Sequence, residues 1–195
     1  MMSVEAVYTH DVETDDDAMP DPLQVFFALS ERLHDFRVEF IDRETSVTPP
    51  PDGDHETFIW RLVRQLARFD VDERFDAAMN KGLATPTGAR VIPDITVTLS
   101  GAMRDAEPWM PSADVLMVVE VTSTAPGRDR FTKRQVYAEA AISLYLLIDR
   151  SEAKVTLFTD PEKGSYTGRV EVGFGKRLTM PDPFGFVLDT AAIVD

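Results

Sequence analysis

The sequence predicts an α/β fold, a mixed β-sheet flanked by helices. Helical and strand-like segments follow one another as helix, strand, helix, several strands, helix and strand, an order that packs helices onto a sheet rather than sheet onto sheet. The run from Asp114 to Thr122 is almost wholly apolar and bounded by turn residues, the pattern of a strand covered on both faces. At 195 residues and 21.8 kDa the chain fits one domain, large enough to bury about 70% of its unfolded surface.

Each element has its own signal. Asp11 to Asp21 is strongly acidic, so residues 1–21 are expected to form a solvated, partly disordered lead-in, with a single domain over 22–195. Pro20 and Pro22 end that stretch. Leu23, Phe26, Phe27, Leu29 and Leu33 then recur at helical spacing and predict a helix from Pro22 to His34. Arg37 to Ile41 alternates polar and apolar like a strand, and the turn formers Thr48 to Gly53 follow. Asp54 is placed to cap a second helix running to about Phe69, with Phe58, Ile59, Leu62, Val63 and Leu66 facing the core. Arg61, Arg64 and Arg68 share the other face of that helix, as an ordinary solvated stripe or a row of phosphate contacts.

From Val71 to Met79 the pattern fits neither period well, and Gly82, Pro86 and Gly88 mark a loop. A strand from Arg90 to Leu99 is expected next, with Asp94 in its middle, then a loop from Gly101 to Pro111 and the strand carrying Glu120. A helix from about Arg128 to Ala141, a strand from Leu144 to Asp149, and a hairpin of Val155–Phe158 with Arg169–Phe174, turning at Lys163-Gly164, complete the order.

Composition narrows the function. There are no cysteines, which removes disulfides, thiol nucleophiles and Cys-based zinc sites and fits a reducing cytosol. No apolar stretch reaches the roughly 18 residues that span a bilayer, so a soluble, cytoplasmic protein without membrane contact is expected. The net charge of −14 is unusual for a protein that approaches DNA. Its distribution matters, because residues 1–56 hold 15 acids against 3 arginines, whereas the remainder holds 19 acids against 17 bases.

Asp94 and Glu120 each sit within runs of Val, Ile and Leu, where an ionised carboxylate needs a cation or hydrogen-bond donors. Arg128, Arg130, Lys133 and Arg134 supply bases just downstream. Two strand carboxylates with a nearby lysine suit Mg²⁺, which takes hard oxygen ligands, and the basic patch suits a phosphodiester substrate. The plainer alternative is a pair of solvated acids at strand ends beside a basic helix start.

Glu39-Phe40-Ile41-Asp42, Thr48-Pro49-Pro50-Pro51 with His55, Pro93-Asp94, Glu120-Val121-Thr122-Ser123, Asp129 with Lys133 and Tyr137, and Leu144 to Asp149 occur in an order and spacing that resembles the Uma2 family, a branch of the PD-(D/E)xK nuclease superfamily. Where the family usually shows a Gly after Ile-Asp and a Gly-Val before its Tyr-rich strand, this chain has Arg43 and Ala141-Ile142. The resemblance implies a strand within residues 71–88, where periodicity alone is ambiguous, a restriction-endonuclease-like sheet and a Mg²⁺-dependent DNA endonuclease, with Mn²⁺ as a substitute. Asp94 and Glu120 become the expected metal ligands, and Lys133 and Glu39 join them as catalytic residues. The superfamily lysine two residues beyond the second acid is replaced by Thr122, so the charge is expected from Lys133 on the following helix. Arg128, Arg130, Arg134, Tyr137 and His55 are the expected substrate contacts. For Lys133 the competing role is an exposed i,i+4 ion pair with Asp129; for Tyr137 it is core packing, for Glu39 an outward strand position, and for His55 a helix cap. A homodimer is expected, since cutting both strands of a duplex needs two sites. The alternative for the whole chain is a catalytically inactive nuclease-fold module that binds nucleic acid or protein, a reading that the acidity and Thr122 favour.

Overall fold

The computed structural model describes residues 20–122 and 127–194. The acidic lead-in as far as residue 19, and Ser123 of the Glu120 motif, lie outside them. The chain runs as α1 (Pro22–Arg32), β1 (Arg37–Ile41), β2 (Glu44–Thr48), α2 (Gly53–Phe69), β3 (Phe75–Met79), β4 (Gly82–Ala84), β5 (Arg90–Val91), β6 (Ile95–Leu99), β7 (Trp109–Pro111) and β8 (Val115–Val121). Wide, π-type helical turns over Arg128–Lys133 lead into α3 (Arg134–Glu139). Then come β9 (Leu144–Asp149), β10 (Lys154–Glu162), β11 (Ser165–Gly173), β12 (Arg177–Thr179), β13 (Val187–Asp189) and α4 (Ala191–Val194).

Two sheets carry the domain, a central one ordered β11-β10-β9-β8-β6-β3 and a second ordered β2-β1-β5-β4-β7. The central sheet is mixed: β8 and β9 are parallel, joined through α3, and its other pairs are antiparallel. One face, with Val97, Met117, Val119, Leu146 and Ile148, packs on Ile59, Leu62 and Leu66 of α2 and on the C-terminal residues Leu178, Leu188 and Ile193. The opposite face, with Val118, Tyr145 and Leu147, packs on Val136, Tyr137 and Ala140 of the α3 region and on Leu83 and Val91 of the second sheet. Phe26 fastens α1 to Val38 and Phe40 of β1. Among the described residues no helix is long and apolar enough to cross a membrane.

Several sequence expectations need correction. Asp52, not Asp54, caps α2, because its side chain accepts from the His55 amide at 2.8 Å while Asp54 lies in the first turn. The β1–β2 hairpin carries no sequence signal of its own, because its two-residue turn is Asp42-Arg43, with φ of 52° and 66°, rather than an Asn-Gly type pair. Arg43 thus adopts the left-handed conformation at the place where the family usually has Gly. The expected strand from Arg90 to Leu99 is broken at Ile92-Pro93-Asp94. Its first part pairs with β1 and β4 in the second sheet, its last part with β3 and β8 in the central one, and Pro93, lacking an N–H, falls at the crossing. Asp94 therefore stands at the junction of two sheets rather than in mid-strand. The C-terminal hairpin β12–β13, on which the sequence was silent, closes the α2 side of the core.

Leu146, fully buried in the centre of the sheet, tests this core. Leu146→Ala should destabilise the domain by about 2–5 kcal/mol, read as a lower urea midpoint with an unchanged slope.

Candidate active site

Period-two alternation sends Arg37 and Glu39 of β1 to the same side. The register Ile95↔Val119 sets Asp94 opposite Glu120, and residues opposite one another on antiparallel strands share a face, here the one covered by the α3 region. Lys133, at the end of the wide turns, and Tyr137, one turn later, both approach that face. Chain segments far apart in sequence so bring Glu39, Asp94, Glu120, Lys133, Tyr137 and His55 into one buried cluster.

The Lys133 ammonium lies 3.0 Å from Glu120 Oε1 and 3.1 Å from Glu39 Oε1, and donates to the Ile92 carbonyl at 3.4 Å. It is 2% exposed, and its ion pairs go to Glu120 and Glu39, not to Asp129. The Tyr137 hydroxyl also donates to Glu120 Oε1. Glu39 Oε1 accepts from the Ile92 amide at 2.7 Å, and Arg128 reaches Glu39 Oε2 at 3.4 Å. Asp94 Oδ2 accepts from the Val121 amide at 2.7 Å and meets His55 Nε2 at 3.1 Å. Asp94 Oδ1 lies 2.8 Å from Arg37 Nη1 but makes no well-aligned hydrogen bond among the described residues. His55 is thus buried against Asp94, with Nδ1 lacking a partner among the described residues.

Charge states follow from these contacts. Burial drives the Glu120 carboxyl well above its usual range, with the Lys133 charge opposing. Burial alone would depress Lys133, but Glu120 and Glu39 outweigh it and hold the ammonium charged above its ordinary pKa. Burial also works against ionised Asp94, yet the His55 hydrogen bond and the Arg37 charge prevail and bring it down to about 2. Asp129, buried nearby, is raised to about 6 by desolvation, with Lys133 opposing.

Two of the expected substrate contacts are placed elsewhere. Arg130 is taken up by Asp149, with Nη2 2.8 Å from Oδ1, and by Ser151 and Glu152. Arg134 lies over the rings of Phe131 and Phe158. Thr122 is buried and structural, its hydroxyl accepting from the Arg150 amide at 2.9 Å. Sequence reasoning missed Arg37 as a site residue, although its i,i+2 relation to Glu39 was the available signal. A cleft of about 240 Å³ lies between α2 and β3 against Phe69, Phe75, Phe184 and Phe186, away from the acids of the cluster.

This architecture is of the restriction-endonuclease-like class. A crystal structure described as "a putative nuclease belonging to DUF820" from Anabaena variabilis matches with a TM-score of 0.66 at 16% identity, over 80% of this chain and 89% of that chain. The chain belongs to the Uma2 family, whose sequence model, described as "Putative restriction endonuclease", matches residues 23–191. A cryo-EM structure of a DrdV–DNA complex overlaps 60% of this chain and 12% of that one, with a TM-score of 0.36 and 13% identity, a likeness too slight to build on. No curated protein matches the chain.

The low pKa of Asp94 sets an acid limit. Its contribution to stability is fully present above about pH 4, the unfolded value, and is lost as pH falls toward 2. Asp129 acts with the opposite sign, costing stability as pH rises from about 4 to 6. Urea unfolding between pH 2 and 7 should show both limbs, the first flattened in Asp94→Asn and the second in Asp129→Asn.

Proposed function

We propose that this chain is a divalent-metal-dependent endonuclease that hydrolyses DNA phosphodiesters. The observation that carries the reading is the pair of buried carboxylates, Asp94 and Glu120, facing each other across β6 and β8 with the Lys133 ammonium on Glu120. Among the described residues no three acids or histidines converge as a ready-made metal cage. The donor set nevertheless fits Mg²⁺ or Mn²⁺, which need one or two protein carboxylates and draw their other oxygens from water, carbonyls and substrate phosphate. Asp94 is ionised across the working range, its Oδ1 has no aligned hydrogen bond among the described residues, and the Val121 carbonyl is next to Glu120 in sequence. Bound, such an ion would lower the pKa of a water and offset the charge gathered on the phosphate.

The protein's own groups supply the rest. His55 and the Val121 amide fix one oxygen of Asp94 and so orient the other. Lys133 stays charged and placed against Glu120, able to stabilise negative charge developing on a neighbouring phosphate. Glu39 holds Lys133 from its second side, a positioning role. Arg128 is the expected phosphate contact nearest the cluster, through Glu39, whereas Arg130 and Arg134 would have to leave their present partners. One specific observation favours a catalytically inactive module binding nucleic acid or protein: the acids and Lys133 are enclosed and satisfy one another.

Calorimetry with Mn²⁺ and plasmid nicking separate the two readings. Asp94→Asn and Glu120→Gln should abolish divalent binding; wild-type affinity in both, with the fold intact, rules out this metal site. Lys133→Ala should lower nicking about a hundredfold or more while Mn²⁺ still binds, and Arg134→Ala should do much less. Because Lys133 is buried on two acids, its loss should also cost about 3–5 kcal/mol of stability, far more than an exposed ion pair would. A homodimer, the arrangement that would give two cutting sites, should appear as twice the chain mass in light scattering at tens of micromolar.

A further inference from the structure

Each of the two proposed metal ligands already holds a cation, and the two cations are held very differently. Lys133, with its side chain 3% exposed, has three acceptors, Glu39, Glu120 and the Ile92 carbonyl. Arg37, with its side chain 18% exposed, rests on Asp94 Oδ1 at 2.8 Å and donates its other terminal nitrogen to Asn80 Oδ1, an exposed contact. The two oxygens of Asp94 are also unlike. Oδ2 is committed to the Val121 amide and His55, whereas among the described residues Oδ1 receives only the guanidinium, without hydrogen-bond alignment. The oxygen left available for a ligand is therefore the one that Arg37 covers.

We propose that Arg37 is the resident counter-ion of Asp94 and competes with the divalent cation for Oδ1. This rests on the metal-site reading above. With no metal bound, a carboxylate buried as deeply as Asp94 needs a cation, and Arg37 provides it. A dication at Oδ1 would repel a guanidinium at its present distance, so Arg37 withdraws on its long, partly exposed stem while Lys133 stays in place. A guanidinium released at the rim of the site is a fork-shaped donor for a phosphate. Phosphate binding that draws Arg37 away then strengthens metal binding, and by linkage metal strengthens phosphate binding to the same degree.

The test is Mn²⁺ calorimetry on wild type, Arg37→Met and Arg37→Lys, with thermal unfolding measured with and without Mn²⁺. Arg37→Met should bind Mn²⁺ about tenfold tighter or more, the scale of a typical coupling, and should unfold at lower temperature without metal, with Mn²⁺ largely restoring it. Arg37→Lys should fall between. A purely structural role for Arg37 predicts weaker binding, the opposite sign. Unchanged or weaker affinity in folded Arg37→Met overturns the proposal while leaving the metal site standing. Binding in neither wild type nor Arg37→Met defeats the proposal and the metal site together, and binding in Arg37→Met alone supports both. Should Arg37→Met not fold, wild-type affinity in Arg37→Lys is the overturning result.

Discussion

The domain depends on holding three carboxyl groups in places where water does not reach. Glu39, Asp94 and Glu120 are each at most 2% exposed, and a buried carboxylate is tolerable only with a cation and hydrogen bonds to match. Lys133 meets this requirement for two of them at once, Arg37 and His55 for the third. The elements that deliver these side chains, β1, the β5–β6 crossing, β8, the N-terminal turn of α2 and the wide turns before α3, are therefore tied to one another electrostatically as well as by packing.

The wide turns show how the backbone serves that requirement. A helix built with extra residues per turn is strained and is found most often where a side chain must be placed for function. Here it ends at Lys133 and turns Asp129 and Lys133 inward, while Phe131 between them is left 63% exposed. Regular α-helix resumes at Arg134, so that Tyr137 follows Lys133 by four residues onto Glu120.

Much of this was legible before any coordinates. β1 and β9 are bounded as their alternating and apolar patterns indicate, and Asp94, Glu120 and Lys133 were singled out because acids among Val and Ile need a reason. What was illegible required three-dimensional context. The Asp42-Arg43 turn lacks the glycine that announces a hairpin, and β3 and β4 are too short and too mixed in polarity to show a period, so the strand expected in that region rests on the family resemblance alone. That Arg130 serves Asp149 while Lys133 serves Glu120 depends on the pitch of the wide turns, which residue spacing on an ordinary helix misjudges. Arg37 was passed over because a single arginine at the start of a strand looks like solubility.

The main chain of Ile92 sits where the chain crosses from one sheet to the other, and the peptide groups on both sides of it are held by the cluster: its N–H by Glu39, its carbonyl by Lys133. Removing either side chain unfastens main chain as well as chemistry. A related chain without nuclease activity would still be under pressure to keep Glu39 and Lys133, simply to hold its two sheets together. Persistence of those two residues is therefore a poor guide to whether a given copy is active, and Asp94 Oδ1, to which none of the described residues donates an aligned hydrogen bond, is the more informative atom.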